Sequence, residues 1–345
     1  MTKTRIGYID AIRGITIILV VYSHILLAAR IPIHTSKIND LLTTVRMPLF
    51  FFISGYFVYS ARYTASLFAR RAKNRLTGQL YPTLVCWTMA CLLFTDRDFS
   101  VLPFDTWKQG YWFTVAAVEM FFLTAPLFVL LSGWKAPRSI RNLVLITGGI
   151  LLEYLLLEKI DVSNSWVGLF SLRAIRGYFP FFLAGILFKL NEDMLSPVLT
   201  NRYTAGIAFL LFVLGYNKVI FLPRFCDGIL GILFIHYAVY RLFCFKTVSQ
   251  SSLAGILCHI GTMTLEIYLL HYFCIHALDP VWKNGWLAAQ VNTWAELPLV
   301  LTSSVVIVSM CLAIVRVLKQ IRLYPLLFPA AKRAVAPASP EPVRT

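Results

Sequence analysis

The chain has 345 residues, of which 58% are hydrophobic and only 14% charged, and its mean hydropathy is +0.71. Soluble domains carry about a quarter charged residues, so this composition excludes an ordinary soluble enzyme and is that of a chain dissolved in a bilayer. The net charge of +16 does not indicate nucleic acid, because the basic residues are spread among short loops, where anionic membrane lipids account for most of them.

About 20 apolar residues carry a helix across the hydrocarbon core, and runs of that length recur along the chain. They predict an all-α membrane protein, a bundle of about ten transmembrane helices at 9–29, 41–61, 79–94, 112–131, 143–157, 177–190, 203–222, 228–245, 256–277 and 297–318. The fifth to seventh are short or interrupted by Gly, which leaves nine or eleven open. A membrane β-barrel would instead show short alternating segments. With the N-terminus in the cytoplasm, the inner segments hold 20 Lys and Arg against 11 outside, so the positive-inside rule predicts both termini cytoplasmic. Asp10, Tyr22 and His24 sit badly in a signal peptide, so the first span is read as retained. Residues 1–322 form the transmembrane domain, and 323–345, ending in a Pro-rich stretch, are expected to be a largely disordered cytoplasmic tail. The seven cysteines show no metal-ligand spacing and read as packing residues. No internal repeat is visible, which weighs against a secondary transporter.

The first span carries the chemistry. Arg13 and His24 are eleven residues apart, about 20° apart on a helical wheel, so they share a face, with the histidine about 16 Å farther along. Asp10 lies three residues before Arg13, where the two charges can pair. Ionisable groups near the middle of a membrane helix cost about 2.5–3.5 kcal/mol each on insertion scales, so function is the default reading; snorkelling at the two interfaces is the structural alternative. Three later segments follow in order: Arg46-Met-Pro-Leu-Phe-Phe-Phe-Ile-Ser54-Gly55-Tyr56, the cluster Arg70, Arg71, Lys73 and Arg75, and Thr264-Leu-Glu266-Ile-Tyr268-Leu-Leu-His271. Trp112-Phe113 with Pro126, and Tyr178 through Gly185, lie between them.

In the order and spacing of these motifs the chain resembles the bacterial acyltransferase-3 family of integral membrane O-acyltransferases over about residues 5 to 320. The resemblance implies transfer of an acyl group, usually acetyl, from cytoplasmic acyl-CoA to a hydroxyl of an extracytoplasmic carbohydrate or lipid-linked glycan precursor, in the inner membrane. Acetyl-CoA or another acyl-CoA is then a donor substrate, and no cofactor is bound permanently. His24 and Arg13 inherit the family's essential roles. An imidazole suits removal of the acceptor's proton or transient carriage of the acyl group, and Arg13, paired with Asp10, orients the donor or stabilises charge.

The arginines after the second span are expected to hold the CoA phosphates, as guanidinium groups do. The family pattern has two arginines separated by two residues, whereas this chain has Arg71-x-x-x-Arg75, so the choice among Arg70, Arg71 and Arg75 stays open. Arg46 either contacts the acceptor or snorkels, and Glu119 and His271 stand in segments where the family often has polar residues. Ser54 lacks a nucleophile elbow, and Ser54-Gly55 reads as a packing step. His259 and Glu266, seven apart, are expected to share a helix face and pair. The rival reading is a transporter that uses the charged face of the first helix as a substrate or proton path.

Overall fold

The computed structural model describes residues 7–59, 64–94, 104–132, 137–154, 159 and 165–329. Every regular element among the described residues is helical. The first, α1 (Gly7–Ala28), is apolar nearly all round and buried over most of its length, as such a helix must be when it forms the centre of a bundle. Around it pack α2 (Lys37–Val58), α11 (Arg224–Cys244), α13 (Ser252–Thr262), α14 (Thr264–Ala277) and α16 (Glu296–Gln320). Ser36 starts α2 by accepting the Asn39 backbone N–H on its side-chain oxygen, a standard N-cap.

Glycines decide the two tightest crossings. A Cβ on Gly14 would lie 2.2 Å from the Leu257 carbonyl oxygen, and one on Gly261 would lie 1.8 Å from that of Asp10, so α1 and α13 touch backbone to backbone. Gly55 of α2 and Gly185 of α8 (Leu172–Leu190) do the same, facing the carbonyl oxygens of Phe182 and Phe52 at 1.9 and 2.0 Å. Small residues at such positions let membrane helices gain close packing where no hydrophobic effect drives them together.

α3 (Ala65–Arg75), a π-helical turn (Leu76–Leu80) and α4 (Tyr81–Phe94) make one 30-residue helix, basic in its first part and apolar after it. The helix that holds the span expected at 79–94 therefore begins at 65, and Arg70, Arg71 and Arg75 stand on a helix rather than in a loop. α5 (Trp112–Ser132) follows, then α6 (Arg138–Leu152), α7 (Ser165–Gly168), α8, α9 (Glu192–Leu199) and α10 (Arg202–Tyr216).

Six of these units are long and apolar enough to cross a bilayer: α1, α2, the α3–α4 unit, α5, α11 and α16. Two bent pairs, α9 with α10 at 72° and α13 with α14 at 84°, raise the number to as many as eight among the described residues. Among the described residues α6 and α8, at the fifth and sixth expected spans, are not counted as crossing helices: α6 is described over 15 residues, and α8 has Arg173, Arg176 and Lys189 among its 19. Large apolar side chains on α4, α6, α10 and α16 face outward, among them Leu92, Leu143, Ile207 and Val306, a surface suited to lipid and not to water.

The expected continuous span 256–277 is in fact broken. Met263 takes non-helical angles between α13 and α14, in a Gly-Thr-Met-Thr stretch whose glycine and two threonines are weak helix formers. The break separates His259, which is exposed, from Glu266, which is buried and accepts the Tyr324 hydroxyl at 2.6 Å, so the pair expected from their spacing does not exist. Beyond the boundary drawn at 322, the short helix α17 (Tyr324–Leu327) packs back onto the bundle, and Phe328 is buried. The remainder of the expected tail, 330–345, lies outside the described residues.

Candidate functional site

The break before α14 brings Thr264 to Arg13. The Arg13 guanidinium donates to the Thr264 hydroxyl at 2.7 Å and lies 3.6 Å from the Asp10 carboxylate, one turn earlier on α1. Arg13 thus faces a cavity of about 280 Å³, lined by Ser54, Arg75, Gln79, Thr264 and Tyr268 and by apolar residues that include Phe50, Ile53 and Phe113. A wider vestibule of about 670 Å³ shares Arg13, Arg75, Gln79, Phe57 and Leu265 with it and adds Arg71, Glu266, Lys319 and Tyr324. Arg13 stands in the wall that the two spaces share.

The arginine cluster divides at this vestibule. Arg71 donates to the Val58 carbonyl and Arg75 to the Gln79 side-chain oxygen at 2.6 Å, and both line the vestibule wall. Arg70 is exposed and lines neither space. The π-helical turn that follows Arg75 carries Gln79 and Gly78 to the same wall, a common use of such an irregularity. Ser54 faces the cavity while Gly55 packs on α8.

His24, on the same helix, meets a different environment. Its ring lies 5.0 Å from that of His271 and 4.8 Å from that of Tyr272, and the Tyr272 oxygen stands 3.0 Å from Nδ1 and 3.2 Å from Nε2. His271 is fully buried; its Nδ1 donates to the Ile267 carbonyl at 3.2 Å, and its Nε2 has no hydrogen-bond partner among the described residues. That bond places the proton on Nδ1 and a lone pair on Nε2. Arg46, also buried, reaches the Asn39 side-chain oxygen at 3.3 Å and lies within electrostatic range of His24 and Tyr272. Ser23 donates to the same Asn39 oxygen. Beside this, Glu296 is wholly buried and accepts from Tyr22 at 2.8 Å, from Ser36, and from the Asn292 backbone at 2.6 Å.

Tyr268 stands between the two ends. It lines the Arg13 cavity, donates to the Gly110 carbonyl at 2.6 Å, accepts the Phe113 N–H at 3.2 Å, and puts its ring 5.8 Å from that of His271. Asp10, Arg13, Arg71 and Arg75 therefore gather at one end of α1, and His24, His271 and Arg46 at the other. Glu119 belongs to neither. It accepts the Ser171 N–H at 3.0 Å at the start of α8 and faces Lys108, whose ammonium burial pushes below the usual lysine range against the opposing pull of Glu119 and Asp105. Tyr272 was missed by sequence reasoning, since a tyrosine in an aromatic-rich span carries no spacing signal; its place one residue after His271 was the available hint.

Ionisable side chains enclosed by apolar helices, with an arginine-walled vestibule opening beside them, are the build of a membrane protein that handles a charged substrate. The family model described as an acyltransferase domain, the acyltransferase-3 family, matches residues 6–315, and the chain belongs to that family. It is a multi-pass membrane acyltransferase. No curated protein and no solved structure matches the chain.

Proposed function

We propose that this acyltransferase moves an acetyl group from cytoplasmic acetyl-CoA to a hydroxyl of an extracytoplasmic glycan or a lipid-linked precursor of one, in the inner membrane. The observation that carries this reading is the junction at Arg13: a basic vestibule with Arg71, Arg75 and Lys319 narrows into a smaller, mostly apolar cavity. Phosphates suit the first space, through charge-assisted hydrogen bonds to guanidinium groups, and the thioester end of the donor suits the second. The excess of Lys and Arg on the segments that the sequence assigns to the cytoplasm, Arg71, Arg75 and Lys319 among them, supports a vestibule that opens where acyl-CoA is made.

In this reading His24 accepts the hydroxyl proton as the acceptor oxygen attacks the thioester carbonyl. The new C–O bond forms, the C–S bond breaks, and the proton passes from His24 to the departing CoA sulfur. Arg13, held by Asp10 and Thr264, orients the donor. The acyl-bearing end must travel about 16 Å along α1 from Arg13 to meet His24, past Tyr268 and Phe113.

Purified protein in nanodiscs, given labelled acetyl-CoA with and without an envelope glycan extract, tests the reading. Glycan-dependent release of CoA with label recovered on the glycan is the expected result. Uptake of a solute into sealed vesicles that carry the protein, without consumption of acetyl-CoA, would turn the assignment to a transporter.

A further inference from the structure

Three consecutive residues ahead of α5 hold positive φ: Lys108 at 47°, Gln109 at 49° and Gly110 at 99°. Residues other than glycine seldom do so, and two in succession persist only where their surroundings hold them. Here the surroundings do. The Asp105 carboxylate accepts the N–H of Trp107 at 3.1 Å and of Gln109 at 2.9 Å. Lys108, 3% exposed, donates to the Gly168 carbonyl, and the Tyr268 hydroxyl donates to the Gly110 carbonyl.

The turn so held presents the bare Cα of Gly110 to one atom. A Cβ there would lie 1.6 Å from the Tyr272 hydroxyl oxygen and 2.2 Å from the ring carbon that bears it. That hydroxyl is the one beside both nitrogens of His24, and the Tyr111 ring, 5.1 Å away, backs the Tyr272 ring. The oxygen is thus wedged between the turn and the imidazole.

We infer that Tyr272 is the positioning residue for His24, and that the turn at 108–110, through the missing side chain of Gly110, sets where its hydroxyl sits. The inference rests on the reading of His24 as the group that takes the acceptor's proton. A neutral imidazole has one N–H and one lone pair, and it acts as a base only if the lone pair is left for the substrate. In this reading the Tyr272 oxygen, 3.0 Å from Nδ1 and 3.2 Å from Nε2, accepts the N–H of one ring nitrogen, and the lone pair of the other serves the acceptor hydroxyl. After proton transfer the same oxygen still accepts that N–H, so the imidazolium keeps its partner without any side chain moving, as an orienting carboxylate does in hydrolytic triads.

The test compares Tyr272→Phe, Gly110→Ala, the double variant and His24→Ala with wild type, full-length in nanodiscs, using labelled acetyl-CoA and an envelope glycan extract. Tyr272→Phe should lower kcat about 10- to 100-fold, the scale of a misoriented catalytic group, with the acetyl-CoA KM and melting temperature unchanged. Gly110→Ala should lose at least as much, and the double variant no more than the worse single one, since both act through one hydroxyl. A Tyr272→Phe protein with wild-type kcat beside an inactive His24→Ala would overturn the inference and leave the role of His24 standing. Losses that multiply in the double variant, or a kcat loss accompanied by an equal rise in KM and a lower melting temperature, would also overturn it. Full turnover in His24→Ala would remove the reading beneath it. Should Gly110→Ala fail to fold, the Tyr272→Phe kinetics decide alone.

Discussion

At Arg13, α1 looks onto two spaces walled by arginines, a lysine and a polar helix turn, whereas eleven residues on, His24 is flanked by the rings of His271 and Tyr272 and lines neither of those spaces. The contrast follows from what each end must do. Holding a multiply charged ligand needs cations with room and water around them, because a guanidinium far from water is costly until its partner arrives. Moving a proton needs a base whose orientation does not drift, and dense aromatic packing with a fixed hydrogen-bond partner supplies that.

Substitutions at the two ends should therefore fail in different ways. The largest effect belongs to His24→Ala, which should lower kcat about 100- to 10,000-fold, the usual contribution of an acid–base group, while equilibrium binding of acetyl-CoA persists. Equal loss of binding and turnover would erase the distinction between the ends. Next come Arg13→Ala and Arg75→Ala. Each removes a charge from the vestibule and should raise the acetyl-CoA KM about 10- to 100-fold, the value of about 1.5–3 kcal/mol for hydrogen bonds to charged groups.

Glu296 tests the frame behind the His24 end. Glu296→Leu strands the donors of Tyr22, Ser36 and Asn292, and should cost about 1–3 kcal/mol of stability, read as a lower melting temperature in detergent, while Glu296→Gln retains most of it. The smallest effect is expected at Arg70, which is exposed and outside both spaces. Arg70→Ala should leave the acetyl-CoA KM within about twofold, and a rise equal to that of Arg75→Ala would show that the vestibule extends farther than its walls.

Much of this organisation is legible in the order of residues along the chain. The shared face of Arg13 and His24, and the Asp10–Arg13 pair, follow from local helix geometry, which sequence spacing encodes directly. The same logic failed for His259 and Glu266, because it assumes an unbroken helix and the break at Met263 voids the count. It also failed to choose among the arginines: Arg70 and Arg71 are adjacent, and which of the two faces the vestibule depends on how α3 is rotated against α5 and the following π-helical turn.

Sequence alone therefore determined the solvent of this protein, its helical class, its family resemblance and the one helix that carries an Arg–His axis, since each is written in composition or in residues a few turns apart. Only the tertiary structure decided what that axis touches. Thr264 lies 251 residues from Arg13, Tyr272 lies 248 from His24, and Glu296 lies 274 from Tyr22; the first two pairs meet where Gly14 and Gly261 let α1 and α13 touch and a bend of 84° sets the course of α14, and the third where α16 packs on α1. Close backbone approach and a broken helix are properties of packed pairs, and no periodicity along a single chain reports them.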